Sequence, residues 1–232
     1  MIFLHHSTGS NVWGGGVPEW FTQYNADNGT NYSISELAFP DGENYPWANY
    51  PYDYWYLWVE NGGPDPVEAQ PTLEMLTTEY DVIVFKHCFP VSSIVEDNGT
   101  PDISSEEKTI ANYQLQYAAL KEKLHSFSDT RFVVWTGAAN VAGATNEADA
   151  ARARTFFDWV KTEWDESGDN IYIWDFFELE TEGGIYLLEE YAAGATDSHP
   201  NESFCQYAAP LFSNRVVNVI TGRGDATGIL GE

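Results

Sequence analysis

The chain has 232 residues, and its 10 lysines and arginines against 36 aspartates and glutamates give a formal net charge of −26. So strong an acidic excess repels polyphosphates and anionic lipid surfaces, which argues against nucleic acid or a membrane as a partner. Hydrophobic residues make up 43% of the chain and aromatic residues 16%, enough apolar surface for the core of one α/β domain.

Short apolar runs alternate with helical patterns along the chain, which is typical of a parallel sheet. Five runs predict strands, at residues 2–5, 32–39, 81–86, 131–136 and 171–175. Five stretches predict helices, at residues 18–25, 72–79, 104–127, 147–164 and 203–220. Ser104, with Glu107 three residues later, forms a capping-box pattern, so we expect the third helix to begin there. The order predicts a single-domain α/β fold with a doubly wound, flavodoxin-like, five-stranded parallel sheet.

Two segments depart from this pattern. Residues 41–71 form a predicted insertion after the second strand that is rich in aromatic residues and ends in a Gly- and Pro-rich stretch. Residues 223–232 are polar and Gly-rich, so we expect a flexible tail after a domain that spans residues 1–222.

Few features bear on the cellular compartment. No run approaches the roughly 18 apolar residues of a membrane span. Cys88 and Cys205 are compatible with two free thiols or with one disulfide, and neither state excludes a compartment. The acid excess suits a protein that faces high salt or the outside of a cell, so we expect an extracellular or periplasmic location.

A candidate nucleophile follows the first predicted strand. That strand runs into the sequence HHSTG at residues 5–9, and a Gly-rich segment follows. A serine on a strand-to-loop turn can turn its hydroxyl to a pocket, with backbone N–H groups nearby to bind an oxyanion. The alternative is that Ser7 and Thr8 only satisfy hydrogen bonds within the turn.

A candidate base precedes the last helix, in the sequence DSHPN at residues 197–201. A histidine supplies a base with a pKa near neutrality, and an adjacent aspartate can fix its tautomer and stabilise the imidazolium. The alternative is an Asx-type turn with His199 on the surface. Sites in doubly wound sheets lie beyond the carboxyl ends of the strands, so we expect Ser7 and His199 at the same edge of the sheet.

These motifs resemble those of the SGNH, or GDSL-like, hydrolase superfamily, which carries its nucleophilic serine after the first strand and its Asp/His pair before the C-terminal helix. The resemblance implies an SGNH hydrolase-like fold and ester hydrolysis without a cofactor. By this resemblance Ser7 is the nucleophile, His199 the general base and Asp197 its orienting residue. The backbone N–H groups of Ser7 and Gly42 would bind the oxyanion.

The sequence departs from the superfamily pattern in two places. The superfamily places its Asp three residues before the His, whereas Asp197 is two residues before His199. Either the local turn lets Asp197 reach the ring, or a carbonyl or a carboxylate such as Asp175 orients it. The superfamily's Asn after the third strand is also missing, so another group must supply the third oxyanion donor. Our candidates are the side chains of His87, Lys86, Ser92 and Ser93.

The histidines also allow a metal site. Four of them, His5, His6, His87 and His199, are predicted at one sheet edge, where Asp197 or Cys88 would complete a shell. However, the chain has no H-x-x-x-H or C-x-x-C spacing, and adjacent strand residues face opposite sides of a sheet. We therefore predict no metal ligand. His5 or His6 is expected to be structural, and His125 to lie on the surface near a helix C-terminus.

Aromatic rings of the insertion can stack on sugar faces beside a hydrolytic site, although more than half of them should form a satellite core. The predicted substrate-binding residues are His6, Lys86, Trp47, Tyr54 and Trp55. Lys86 is expected either to recognise an anionic substrate or to pair with a buried carboxylate such as Asp53 or Asp175.

Three functions are compatible with these residues. The leading prediction is a serine esterase that removes a small acyl group, such as acetyl, from a carbohydrate. The alternatives are a non-catalytic glycan-binding protein of the same fold and a metal-dependent hydrolase. The expected partner is a small-molecule or glycan ester.

Overall fold

A computed structural model of the chain describes residues 1–41 and 47–232. Its centre is a parallel sheet of strands β1 (Ile2–His5), β2 (Ser35–Ala38), β3 (Val82–Phe85), β4 (Arg131–Trp135) and β5 (Ile171–Trp174). The strands lie in the order β2-β1-β3-β4-β5. This is the order of flavodoxin-like doubly wound sheets, so the predicted fold class is confirmed.

Helices cover both faces of the sheet. They are α1 (Thr8–Gly14), α2 (Val17–Asn28), α3 (Pro51–Trp55), α4 (Leu73–Glu79), α5 (Ile110–His125), α6 (Glu147–Trp159), α7 (Phe176–Thr181) and α8 (Glu202–Ile220). Helices α1, α2 and α8 contribute to one apolar layer, and α3, α4, α5 and α6 contribute to the other. None of the helices in the described part of the chain is both long and apolar enough to cross a membrane.

Strands β1, β3, β4 and β5 are apolar because both of their faces are buried, whereas the edge strand β2 is exposed. Successive strand residues point to opposite faces. In β1, Phe3 packs on the layer that contains α8, with its ring centroid 4.9 Å from that of Phe212, whereas Leu4 belongs to the opposite layer. A continuous hydrophobic run is therefore the signal that the sheet requires, and it explains why the strands were visible in the sequence.

Helix α5 begins later than the capping-box pattern predicts. Its N-cap is Thr109, whose Oγ1 accepts a hydrogen bond from the Asn112 backbone N–H at 3.3 Å. The N–H and hydroxyl of Ser104 instead donate to the Asp102 carboxylate at 2.9 and 2.8 Å. Serine near aspartate favours such a local turn as readily as a helix cap, which is why the pattern misplaced the helix start.

Several short elements, α7 among them, were not predicted. The segment after β1, expected to be a Gly-rich loop, forms α1, and the insertion folds into α3 followed by a π-helical turn over Tyr56–Glu60. Before α8, strands β6 (Ala192–Gly194) and β7 (Asp197–Pro200) form an antiparallel hairpin. Neither α1 nor the hairpin has enough apolar residues for a hydrophobic period to show.

Residues 223–232, expected to form a flexible tail, pack against the domain. The indole of Trp174 donates a hydrogen bond to the carbonyl of Leu230 at 3.0 Å, and the amide of Asn214 donates to Gly231 at 2.8 Å. Buried Arg215 also donates to a carbonyl in this segment. These bonds hold the segment against β5 and α8, and composition alone gave no sign of them.

The two cysteines are free thiols, the first of the two alternatives. Cys88 follows β3 and Cys205 lies in α8, and both are buried. Burial raises the pKa of the Cys205 thiol to about 12, so almost none of it is thiolate at neutral pH.

Gly15 sets the distance between α1 and α8. A Cβ atom at Gly15 would lie 2.3 Å from the carbonyl oxygen of Cys205 and 2.6 Å from its carbonyl carbon. Only glycine allows α1 to come this close to the backbone of α8. Because Ser7 directly precedes α1, this contact also bears on the position of the candidate nucleophile.

We expect Gly15→Ala to lower the free energy of unfolding by about 1–3 kcal/mol, since the backbone of α8 must move to admit the methyl group. Gly14→Ala is the matched control, because a Cβ there meets no atom within 4 Å. In that variant, alanine's higher helix propensity should leave stability unchanged or raise it by up to about 1 kcal/mol. Urea unfolding measures both, and equal stabilities of the two variants would contradict the packing argument.

Candidate active site

Ser7 lies on a sharp turn between β1 and α1. Its backbone has φ 51° and ψ −109°, a left-handed φ that costs a non-glycine residue about 1–3 kcal/mol. Two backbone hydrogen bonds hold the turn, from Gly9 N–H to the His6 carbonyl at 2.9 Å and from Asn11 N–H to the Ser7 carbonyl at 3.0 Å. The half-buried side chain of Ser7 is thereby presented on the carboxyl side of β1.

Asp197 and His199 lie on the same face of β7. Residues two apart on a strand point to the same side, and the residue between them points to the other. Accordingly, Ser198 is buried, and its Oγ accepts a hydrogen bond from the Val141 backbone N–H at 3.1 Å. A two-residue spacing therefore suits an Asp/His pair on a strand. It explains how Asp197 reaches His199 although the superfamily places its Asp three residues before the His.

The three predicted catalytic side chains form one hydrogen-bonded chain. His199 Nε2 lies 2.5 Å from Ser7 Oγ, and His199 Nδ1 lies 2.6 Å from Asp197 Oδ1. A carboxylate only accepts, so the ring proton is on Nδ1 and the bare Nε2 accepts from the serine hydroxyl. This is the tautomer in which a histidine can remove the serine proton.

Hydrogen bonds from His199 stabilise the ionised form of Asp197. The Asp197 carboxylate accepts the backbone N–H of His199 at 3.0 Å as well as the ring N–H, and these bonds lower its pKa. The two side chains are 54% and 38% exposed, respectively. Because Asp197 is exposed, water also reaches its carboxylate and weakens the interaction with His199. The same pair would interact more strongly if it were buried.

The surroundings position His199 in two further ways. The ring of Phe89 meets the imidazole edge to face, with centroids 4.9 Å apart. The side-chain amide of Asn11, in α1, reaches the carbonyl of Pro200 at 3.4 Å and so ties the serine turn to β7. Sequence reasoning missed Phe89, Asn11 and Ser198. The alternation along a strand would have indicated Ser198, whereas no signal pointed to the other two.

The alternative in which Asp175 orients the histidine is wrong. One carboxylate oxygen of Asp175 accepts from the hydroxyl of Thr136 at 2.7 Å and from the backbone N–H of Glu178. The second bond makes Asp175 the N-cap of α7. The other oxygen pairs with Lys161 Nζ at 2.9 Å. Asp175 is thus a structural residue at the end of β5.

The structure places the candidate oxyanion donors in different surroundings. Gly42 lies outside the described residues. Ser92 is buried, and its hydroxyl donates to the carbonyl of Ala138 at 2.5 Å, so it holds the loop after β3. Ser93 is exposed, at the end of a 3₁₀ turn. The backbone N–H of Ser7 is directed away from the carbonyl of its own peptide unit, and no acceptor for it lies among the described residues.

His87 is buried in an aromatic cluster and does not face the serine, contrary to its predicted oxyanion role. Its ring meets Tyr54 edge to face at 4.5 Å and also lies against Phe85 and Tyr117. Neither ring nitrogen has a hydrogen-bond partner among the described residues. Burial, with the nearby charge of Lys86, lowers the pKa of His87 to about 3, so the ring is neutral.

Lys86 is fully buried, so it contacts no substrate, and the predicted pairing with Asp53 or Asp175 is also wrong. Its ammonium donates to the carbonyl of His6 at 3.2 Å and to the sulfur of Cys88 at 3.4 Å. Asp53 instead accepts a backbone N–H at the start of α3.

The two histidines at the end of β1 have structural partners. His5 is buried, with its Nδ1 3.3 Å from Ser10 Oγ. Its Nε2 lies 3.0 Å from the Glu36 carboxylate without an aligned hydrogen bond. Burial lowers the pKa of His5 to about 3, so this contact joins a neutral ring to a carboxylate. His6 is half-buried, and its Nε2–H donates to the carbonyl of Pro40 at 2.7 Å.

The histidines do not converge on one point. His199 is committed to Ser7, His87 is enclosed by aromatic rings, and His125 pairs with Asp169 at 2.8 Å. In the described ranges, no group of three or more His, Cys, Asp or Glu side chains is arranged to hold a metal ion. This geometry does not favour the metal-dependent alternative.

Four of the seven described aromatic residues of the insertion are buried in the core: Tyr50, Tyr54, Trp55 and Trp58. Tyr54 is fully buried and Trp55 is 6% exposed, so the prediction that they bind substrate is wrong. The Tyr54 hydroxyl donates to the carbonyl of Lys86 at 2.7 Å. Trp47 is half-buried and lies against Tyr56, with ring centroids 6.3 Å apart, so it retains a surface that a ligand can touch.

We expect His87→Phe to reduce the loss of stability in acid. The folded-state pKa of His87 is about 3, below its ordinary value near 6.5, so the unfolded chain takes up the proton first as pH falls below 6.5. The stability that the protein has with a neutral His87 is fully present above pH 6.5. It is lost progressively as the pH falls from 6.5 toward 3, because the proton binds the unfolded chain more tightly. Phenylalanine has no such proton and breaks no hydrogen bond of the ring among the described residues.

Urea unfolding at pH 7.5 and pH 5.0 measures the effect. Between these values, the wild-type protein should lose about 2 kcal/mol more stability than His87→Phe. His5 is present in both proteins, so its similar contribution cancels. An identical pH dependence of the two proteins would show that His87 is not buried as a neutral ring.

Comparison with known proteins assigns no family. No protein-family model matches the chain, and neither a curated protein nor a solved structure does. The function of the site is therefore argued from the geometry of Ser7, His199 and Asp197 and from the resemblance of their motifs.

Proposed function

We propose that the protein is a serine esterase of the SGNH, or GDSL-like, type that hydrolyses small acyl esters, with a carbohydrate acetyl ester as the favoured substrate class. The observation that carries the proposal is the hydrogen-bonded chain from Ser7 Oγ through His199 to Asp197. The strained φ of Ser7 at a strand-to-helix turn supports it, since nucleophilic serines are commonly held on such turns.

The proposed reaction uses only these side chains and water. Ser7 Oγ attacks the ester carbonyl carbon while its proton moves to His199 Nε2. The tetrahedral intermediate collapses when the C–O bond to the alcohol breaks and His199 returns the proton to the departing oxygen. A water molecule, deprotonated by His199, then attacks the acyl-enzyme, and the acyl–Oγ bond breaks as His199 returns that proton to Oγ, which releases the carboxylic acid and restores Ser7.

The negative charge on the intermediate needs donors that are already in place. The backbone N–H of Ser7 is one candidate. By the superfamily resemblance, the N–H of Gly42 would be another. Half-buried Trp47 retains exposed aromatic surface that supports the carbohydrate part of the proposal.

Ser7→Ala and His199→Ala should each lower kcat for 4-nitrophenyl acetate on the order of 10³-fold or more, because each removes a group that takes part in bond making or proton transfer. Circular dichroism and thermal unfolding would verify that the variants fold. A panel of acetylated sugars then tests the substrate class.

The matched controls are a serine and a histidine that do not belong to the hydrogen-bonded chain of Ser7, His199 and Asp197. Ser10→Ala removes an exposed serine three residues from Ser7, and His125→Ala removes a histidine that pairs with Asp169. Both should retain wild-type kcat. Full activity in Ser7→Ala would refute the proposal. A wild-type protein that binds acetylated sugars without hydrolysing them would favour the glycan-binding alternative.

For Asp197→Asn we expect a smaller loss, on the order of 10- to 100-fold in kcat. The orienting residue is not itself the proton acceptor. Its exposed position also lets water replace part of its effect, and an asparagine oxygen can still accept the Nδ1–H. Steady-state kinetics beside Asp197→Ala and His199→Ala provides the measurement. A loss in Asp197→Asn equal to that in His199→Ala would show that the negative charge, rather than orientation, is what the reaction requires.

A further inference from the structure

The ammonium of Lys86 is placed directly behind the candidate nucleophile. Lysine is rarely fully buried without a charged partner, yet Lys86 has no exposed surface and its nearest partners are a backbone carbonyl and a thiol. The carbonyl belongs to His6, the residue before Ser7. A buried cation is therefore bonded to the backbone at the serine turn.

The carbonyl of His6 and the N–H of Ser7 belong to one peptide unit. In a trans peptide these two groups point in opposite directions. Lys86 Nζ and the Gly9 N–H both donate to the carbonyl, at 3.2 and 2.9 Å, and so occupy its side of the unit. The N–H of Ser7 points the other way, and no acceptor for it lies among the described residues.

We propose that Lys86 is a positioning residue for ester hydrolysis, which holds and polarises the His6–Ser7 peptide so that the Ser7 N–H becomes a stronger, pre-aimed donor to the oxyanion. This inference rests on the proposed function of Ser7. Lys86 itself touches neither substrate nor reacting atoms, because it is fully buried.

Lys86 acts on this peptide in two ways. A charged donor on a carbonyl draws electron density toward the oxygen and makes the N–H of the same peptide more positive, which strengthens the hydrogen bonds that this N–H makes. A second bond to the carbonyl also fixes the plane of a peptide whose following residue has a strained φ. Both effects matter most when charge develops on the intermediate, so they act on kcat more than on substrate binding.

The buried surroundings of Lys86 strengthen its effect on the His6–Ser7 peptide. Bonds to a charged group are stronger where water is excluded. The Lys86 charge is already felt by its neighbours, since it adds to the effect of burial in lowering the pKa of both His5 and His87. Among the described residues no carboxylate lies within ion-pair distance of Lys86; its charge acts on buried Glu180, opposing the rise that burial causes in the pKa of that carboxyl.

The decisive variant is Lys86→Met, which keeps the length of the side chain and removes its charge and donor. We expect kcat for 4-nitrophenyl acetate to fall about 10- to 100-fold with KM unchanged, less than the loss of a whole oxyanion donor would cost. Lys161→Met is the matched control, because the side chain of Lys161 is only 13% exposed but pairs with the carboxylates of Asp158 and Asp175. It should retain the wild-type kcat.

A second measurement does not depend on activity. In isotope-labelled protein, the amide proton of Ser7 should move upfield and the carbonyl carbon of His6 should shift in Lys86→Met, because the peptide is less polarised. Neither signal should move in Lys161→Met. If the wild-type protein hydrolyses no ester, the proposed function fails, whereas the NMR comparison still decides whether Lys86 polarises this peptide.

Three results would overturn the inference. They are a wild-type kcat in Lys86→Met, a rise in KM with kcat unchanged, and unmoved Ser7 and His6 signals. If Lys86→Met does not fold, Lys86→Arg provides the test, since it keeps a charged donor. It should retain kcat within about tenfold of wild type, and a larger loss in a folded protein would equally refute the role of the charge.

Discussion

A parallel sheet must be covered on both faces, because its strands are apolar on both sides and can only be joined by crossovers that pass over a face. In this chain the two helical layers satisfy that requirement, and β1 lies between β2 and β3. The carboxyl ends of all five strands then meet at one edge. The segment after β1, which carries Ser7, and the hairpin that precedes α8 are therefore neighbours, although Ser7 and His199 are 192 residues apart in the chain.

The hairpin converts this rough proximity into a defined geometry. Alternation along β7 turns Asp197 and His199 to one side and Ser198 to the other, where its hydroxyl fastens the hairpin to the loop after β4. On the opposite side of the site, Gly15 lets α1 lie close to α8, so the turn at Ser7 is held from behind. The geometry of the hydrogen-bonded chain from Ser7 to Asp197 thus depends on backbone packing outside that chain.

Buried polar groups lie beneath the serine turn, at a cost in stability. His87 is neutral within its aromatic cluster, and burial raises the pKa of Glu180 well above its ordinary value, although the Lys86 charge opposes that shift. Burying ionisable groups is unfavourable unless they gain strong partners. Bonds from Lys86 to the His6 carbonyl, and from the Ala139 N–H to Glu180 at 2.6 Å, supply some of that compensation. The aromatic rings of the insertion are another part of this buried layer, which explains why Tyr54 is core.

The sequence by itself determined the sheet, most of the long helices and the residues of the hydrogen-bonded chain, because buried strands are continuous apolar runs and because Ser7 and His199 follow recognisable local patterns. Only the tertiary structure decided how these parts meet. Hydrophobic periodicity reveals neither α1 nor the hairpin before α8, which have few apolar residues, so only β7 itself decided that Asp197 reaches His199. The place of a single polar residue depends on which face its neighbours cover. For that reason His87 and Lys86, predicted at the substrate, lie beneath the site instead.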